Sequence, residues 1–128
     1  MVVNLPKIIV PVDVFNGVNS PISWHFGRAP YFALVEVSEG QIKSITSIKN
    51  VGEHFGGRGK AKELILIYNP DIIIVRSIGP RALYSFQELG IPVLTGEVET
   101  VKEAIEAYFK GMLKPLTESC REARNPYI

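Results

Sequence analysis

A chain of 128 residues, 46% of them hydrophobic and 21% charged, is long enough to bury one core and too short for two ordinary ones, which predicts a single domain over 1–128 and excludes a disordered or fibrous chain. Lys and Arg number 14 against 13 Asp and Glu, a formal net charge of +1 that provides no global field for nucleic acid or an anionic membrane, so any anion must be bound locally. A single cysteine, Cys120, excludes an intramolecular disulfide and suits a reducing compartment; with no run of membrane-spanning length and no basic, cleavable leader in residues 1–12, a cytoplasmic protein is expected.

Lys7–Val12 (KIIVPV) is a short, almost unbroken apolar run of the kind buried on both faces in mid-sheet. Periodicity is lost over 13–24, where Asn16-Gly17 and Ser20-Pro21 mark turns in an irregular loop. Residues 31–37 (YFALVEV) are β-branched and aromatic, Ser38-Glu39-Gly40 turns tightly, and Gln41–Lys49 returns as the second arm of an antiparallel hairpin. Ile42 and Ile45 lie three apart, which breaks strict alternation and predicts a bulge or bend there. Residues 50–59 (NVGEHFGGRG) hold four glycines and form a second polar loop.

Ala61, Leu64, Ile65 and Tyr68 then share one helical face, and Asn69-Pro70 stops that helix. Residues 71–75 (DIIIV) read as a buried strand, followed by a helix through Ala82, Leu83, Phe86 and Leu89, with Pro80 suited to its first turn and Gly90 to the left-handed position past its end. A short strand over 91–94 and a turn at Thr95-Gly96 lead to Thr100, an N-cap with Glu103 in capping-box register. Val101, Ala104, Ile105, Tyr108 and Met112 form the stripe of the last helix, closed by Gly111 or Pro115, and residues 116–128 form a polar tail. The order is β-β-β-α-β-α-β-α, an α/β fold. The strands near residues 7, 71 and 91 should run parallel and the hairpin antiparallel, giving a five-stranded mixed sheet with helices on its faces.

Ligands of such sheets gather at the carboxyl ends of the parallel strands, the edge from which the loops at Asp13, Arg76 and Thr95 leave. The densest chemistry lies in Ser23-Trp24-His25-Phe26-Gly27-Arg28-Ala29. His25 can ligate a metal through a neutral nitrogen or hold an anion when protonated, Arg28 adds a fixed cationic fork, and Gly27 permits a tight bend; the same residues also fit a solvated loop. In Arg76-Ser77-Ile78-Gly79-Pro80-Arg81, two guanidinium groups flank a helix N-terminus with free amides, a sound anion site, although helix starts with solvent-facing arginines look alike. It lacks the spacing of a phosphate-binding P-loop or a dinucleotide fingerprint. Gly56-Gly57-Arg58-Gly59, with Glu53 and His54 beside it, reads either as a loop closing on a ligand or as a plain connection. No serine has a nucleophile setting, and two histidines with one cysteine fall short of a zinc set.

The run from Ser23 to Ala29, then Phe32, then Ile78-Gly79-Pro80-Arg81-Ala82 and Leu89-Gly90-Ile91-Pro92-Val93, resembles the dinitrogenase iron-molybdenum cofactor biosynthesis family of NifX/NafY-like proteins, over most of the chain. That resemblance implies a ribonuclease-H-like fold and transient carriage of an iron-molybdenum cofactor or iron-sulfur cluster, without catalysis. It implies His25 as the cluster contact and tentative metal ligand, with Arg28, and Gly79, Pro80 and Arg81 as the second loop. The resulting expectation is a non-enzymatic carrier of an anionic metal-sulfur cofactor. Its site is drawn from His25, Gly27, Arg28, His54, Arg58, Arg76, Gly79 and Arg81, and its partners are the cofactor or another small anion and cofactor donor and acceptor proteins. Two alternatives stand beside it. A ribonuclease-H-like nuclease would need carboxylates to converge, but Asp13 and Asp71 fall at opposite strand ends; a regulatory module would bind a phosphorylated small molecule at residues 76–81.

Overall fold

The computed structural model describes residues 5–50 and 60–117. Its centre is β1 (Lys7–Val12), whose alternate side chains enter two different cores, as period-two geometry requires of a strand covered on both faces. Ile9 joins Phe32, Ile73 and Val93 under α1 (Lys60–Ile67) and α2 (Pro80–Glu88), through Ile65, Leu83 and Phe86. Ile8, Val10 and Val12 join Ala33, Val35 and Ile74 under α3 (Val101–Phe109), through Val101, Ala104 and Ile105. Helices therefore lie on both faces.

On one side of β1, β2 (Tyr31–Ser38) pairs antiparallel from Lys7 opposite Glu36 to Val12 opposite Tyr31, and β3 (Gln41–Lys49) pairs antiparallel with β2. Positive φ at Glu39 (54°) and Gly40 (74°) makes the two-residue turn whose twist matches that of the strands. The expected bulge is present. Glu36 faces Ser44 while Val37 faces Ile42, leaving Lys43 as the extra residue between the two isoleucines that broke the alternation.

On the other side, β4 (Ile72–Ile74) and β5 (Val93–Thr95) run parallel to β1, as expected. Among the described residues the sheet has six strands, not five, in the order β3-β2-β1-β4-β5-β6. β6 (Lys114–Pro115) pairs antiparallel with β5, Pro115 opposite Leu94, and Leu116 N–H reaches Val93 O at 2.8 Å. Two residues carry no readable period, and a proline reads as a stop; on an outer strand its missing N–H is tolerated. Gly111, not Pro115, ends α3, and Leu116 packs against the core. Both α2 and α3 close with the same device. Gly90 and Gly111 take φ of 75° and 70°, and the residue after each, Ile91 or Met112, donates back to Phe86 O or Ala107 O at 2.9 Å. No helix among the described residues is long and apolar enough to cross a membrane.

Candidate functional site

Because β1, β4 and β5 are parallel, their carboxyl ends share one edge, and the site is built from the loops leaving it. The loop after β1 doubles back on its own strand: Asp13 N–H donates to Pro21 O at 3.1 Å, and Ser23 N–H to Pro11 O at 2.8 Å. Buried Ser20 folds its middle, accepting from Asn16 N–H at 2.6 Å and donating to Gly17 O at 2.7 Å. Carbonyls of this loop then cap α3. Val101 and Lys102 N–H donate to Ser20 O and Val18 O at 3.0 and 2.8 Å, and Glu103 N–H to Thr100 Oγ1 at 3.2 Å. The capping box closes one residue early, on Glu99 N–H at 2.8 Å from Glu103 Oε1. The positive end of α3 is thus already occupied.

From Ser23 onward, anchored and free side chains alternate. Phe26 and Ala29 are buried; Trp24, His25, Gly27 and Arg28 are exposed. The Phe26 ring lies 5.3 Å from that of Phe32 and 5.6 Å, edge-on, from that of Phe86, so an aromatic wedge pins the loop to the core. Buried Asn50, just past β3, holds it from beneath: Nδ2 donates to Gly27 O at 3.2 Å and Ala29 O at 2.7 Å, and its N–H to Pro30 O at 3.0 Å. Ser23 Oγ and the His25 backbone close a small turn at 3.2–3.3 Å.

The facing loop follows β4. Val75 is fully buried, with its N–H on Leu94 O at 3.0 Å, and Ile78 is buried too, which fixes Arg76 and Ser77 between them. Gly79 begins α2 without a side-chain cap, and Pro80 at the first helical position brings no N–H. The amides of Arg81 and Ala82 lack an intrahelical acceptor, and among the described residues no side chain caps α2, in contrast to α3. The two loops are tied together by Ser77 Oγ, which donates to Trp24 O, and by the Arg76 guanidinium, 3.8 Å from the centre of the Trp24 ring.

Between them lies a cleft of about 1000 Å³. His25, Gly27 and Arg28 line it from one loop, Arg76, Ser77 and Gly79 from the other, and Asp13 sits at the end of β1. A second cavity of about 430 Å³ shares Trp24 and Arg76 as a wall and meets Glu97 and Glu99 after β5. Of the residues expected from sequence, His25, Gly27, Arg28, Arg76 and Gly79 come together. Arg81 does not: it is exposed on α2 and lines neither cavity. Gly27 is not needed for a left-handed bend. Its φ lies outside that region, and a Cβ there would meet nothing within 4 Å, so what it supplies is open space. His54, Arg58 and Cys120 lie outside the described residues.

Trp24, Ser77 and Asn50 carry site geometry that reasoning from sequence did not assign. A lone tryptophan in an aperiodic loop was a usable signal for the first; the roles of Ser77 and Asn50 depend on contacts 53 and 21–23 residues away in sequence. A converging carboxylate pair is not formed by Asp13 and Asp71. Asp71 Oδ2 accepts Lys7 N–H at 2.8 Å at the start of β1, whereas Asp13 follows its end, roughly 20 Å away along six residues of strand. Among the described residues, no three His, Cys, Asp or Glu side chains are grouped to hold a metal ion.

A family model described as "Dinitrogenase iron-molybdenum cofactor" matches residues 6–111. An uncharacterized protein of Methanocaldococcus jannaschii is 36% identical over 115 residues, 88% of this chain and 92% of that protein. Among solved structures, PH0822 superposes with a TM-score of 0.72 at 28% identity, over 88% of this chain and 97% of its own. The apo form of the orange protein from Desulfovibrio gigas does so at 0.76 and 20% identity, over 89% and 95%, a likeness of fold.

Proposed function

The chain belongs to the dinitrogenase iron-molybdenum cofactor family, and from that premise we propose that it is a non-enzymatic carrier holding an anionic iron-sulfur or iron-molybdenum type cofactor in the cleft between the β1 and β4 loops. One observation carries this reading: His25, Arg28, Arg76 and Gly79, the residue from which α2 starts, line a single cleft. A cargo with spread negative charge suits that set. The guanidinium groups offer many N–H donors without demanding one coordination geometry, and among the described residues lining the cleft His25 supplies a nitrogen able to bind metal directly. The described residues lining the cleft offer guanidinium, imidazole and hydroxyl groups, and holding by charge and hydrogen bonds suits a cargo that must be handed on to an acceptor protein. His54 and Arg58 join the reading as candidates from the glycine-rich loop. The antiparallel β3-β2-β1 start followed by two parallel strands supports a ribonuclease-H-like description of the sheet.

Anaerobic incubation with ferrous iron and sulfide, or with extracted cofactor, is expected to give cluster absorption that survives desalting, reduced by His25→Ala and abolished by Arg28→Ala with Arg76→Gln. No absorption with either preparation, together with indifference to His25→Ala, sinks the reading. The open end of α2 also fits a phosphate group. A thermal-shift screen in which nucleotides or sugar phosphates stabilise the protein, and clusters do not, selects a regulatory module instead.

A further inference from the structure

Trp24 is 57% exposed, yet it is not a loose side chain. Its carbonyl accepts the Ser77 hydroxyl, the preceding Ser23 N–H is bonded to Pro11 O at 2.8 Å, and Phe26 two residues later is wedged in the core. Arg76 is equally constrained, directly after buried Val75 and two residues before buried Ile78. Two fixed backbones thus bring an indole face and a guanidinium to 3.8 Å, at the wall common to both cavities.

A guanidinium stacked on a ring gives up one face to the ring, while its five N–H donors point outward in its own plane. Stacking therefore leaves the hydrogen-bonding edge usable. It also removes much of the rotamer freedom that a long arginine side chain would otherwise lose when an anion arrives, and it strips water from one face of the charge. Nearby carboxylates offer Arg76 alternatives: Asp13 in the larger cavity, Glu97 and Glu99 in the smaller. An arginine free to swing could be drawn to any of them. Held on the ring, it stays at the cleft wall.

We propose that Trp24 is a positioning residue for anion binding, preorganising Arg76 as the donor of the larger cleft. The inference rests on the anion-holding reading of that cleft but adds to it a residue whose contribution is routed through another side chain. It predicts coupling. Trp24 should matter only while Arg76 is present, and aromatic replacements should preserve what an aliphatic one of similar bulk loses.

The test is a double-mutant cycle on the full chain with molybdate as the probe anion, read by isothermal titration calorimetry, with circular dichroism confirming that each variant is folded. Trp24→Leu is expected to weaken molybdate binding about tenfold and Trp24→Phe no more than about threefold. With Arg76→Gln already present, Trp24→Leu should change the residual affinity by less than about twofold. Since Trp24 is the sole tryptophan, its emission offers a second readout: it should shift with molybdate in the wild-type protein and stay unchanged in Arg76→Gln. An equal loss from Trp24→Leu in both backgrounds overturns the proposal, because Trp24 then touches the anion itself or merely supports the loop. So does failure of Trp24→Phe to rescue. Wild-type protein that binds no molybdate also overturns it, while the carrier reading is judged separately by cluster reconstitution.

Discussion

Phe26 is 2% exposed between the rings of Phe32 and Phe86, while His25 before it and Gly27 after it face the cleft. Removing the ring should therefore act on stability and on the site together. Phe26→Ala is expected to cost about 3–5 kcal/mol in urea unfolding, since it leaves a cavity that two aromatic neighbours cannot fill. His25→Ala and Arg28→Ala, both at exposed positions, should stay within about 0.5 kcal/mol of wild type. Gly27→Val separates the two effects in the other direction. Its Cβ meets nothing within 4 Å, so the fold should tolerate it, but the branched side chain stands in the cleft and should lower molybdate affinity in a calorimetric titration. The sequence made His25 and Arg28 visible because their chemistry is carried by residue type. It hid Asn50, whose side-chain amide reaches two carbonyls more than 20 positions away.

Two helices begin at the same sheet edge with opposite fates. α3 has its first amides taken by Ser20 O, Val18 O and Thr100 Oγ1, whereas α2 starts at Gly79 with no side-chain cap. A cap added at Gly79 should trade one property for the other. Gly79 has extended dihedrals (φ −72°, ψ 161°) that suit an N-cap, so Gly79→Asp is expected to raise stability by a few tenths of a kcal/mol in urea unfolding. The new carboxylate would also put a negative charge at a residue that lines the cleft, and binding of an anionic probe should fall. The starts and ends of these helices were legible because capping is local: Thr100 with Glu103, Pro80 at the first turn, Gly90 just past the end. β6 was not. Two residues define no period, and their strand character comes only from lying beside Leu94 and Thr95.

At the scale of the whole molecule, the cleft joins residues 25–28 to residues 76–79, segments about fifty positions apart that meet only when β1 and β4 pair in parallel. An anion bound there should stabilise the folded chain as a unit, because the unfolded chain offers no such pair of walls. At a hundred times its dissociation constant the probe should add about 2.7 kcal/mol, seen as a rise in thermal midpoint that is absent in Arg28→Ala with Arg76→Gln. Which strands would be parallel, and that the loops after β1 and β4 would meet, could be worked out from the order of apolar runs; that α3's positive end would be closed off by the first loop could not, since nothing in residues 18–20 marks their carbonyls as caps. The alternation of anchored and free residues along 24–29 has a consequence for descent. Phe26 and Ala29 hold the loop in place, whereas the residues at 25, 27 and 28 bear almost none of the packing. Mutation can sample new ligand chemistry at those three positions without first losing the fold, so lineages that share this scaffold are free to diverge in cargo while their cores stay alike.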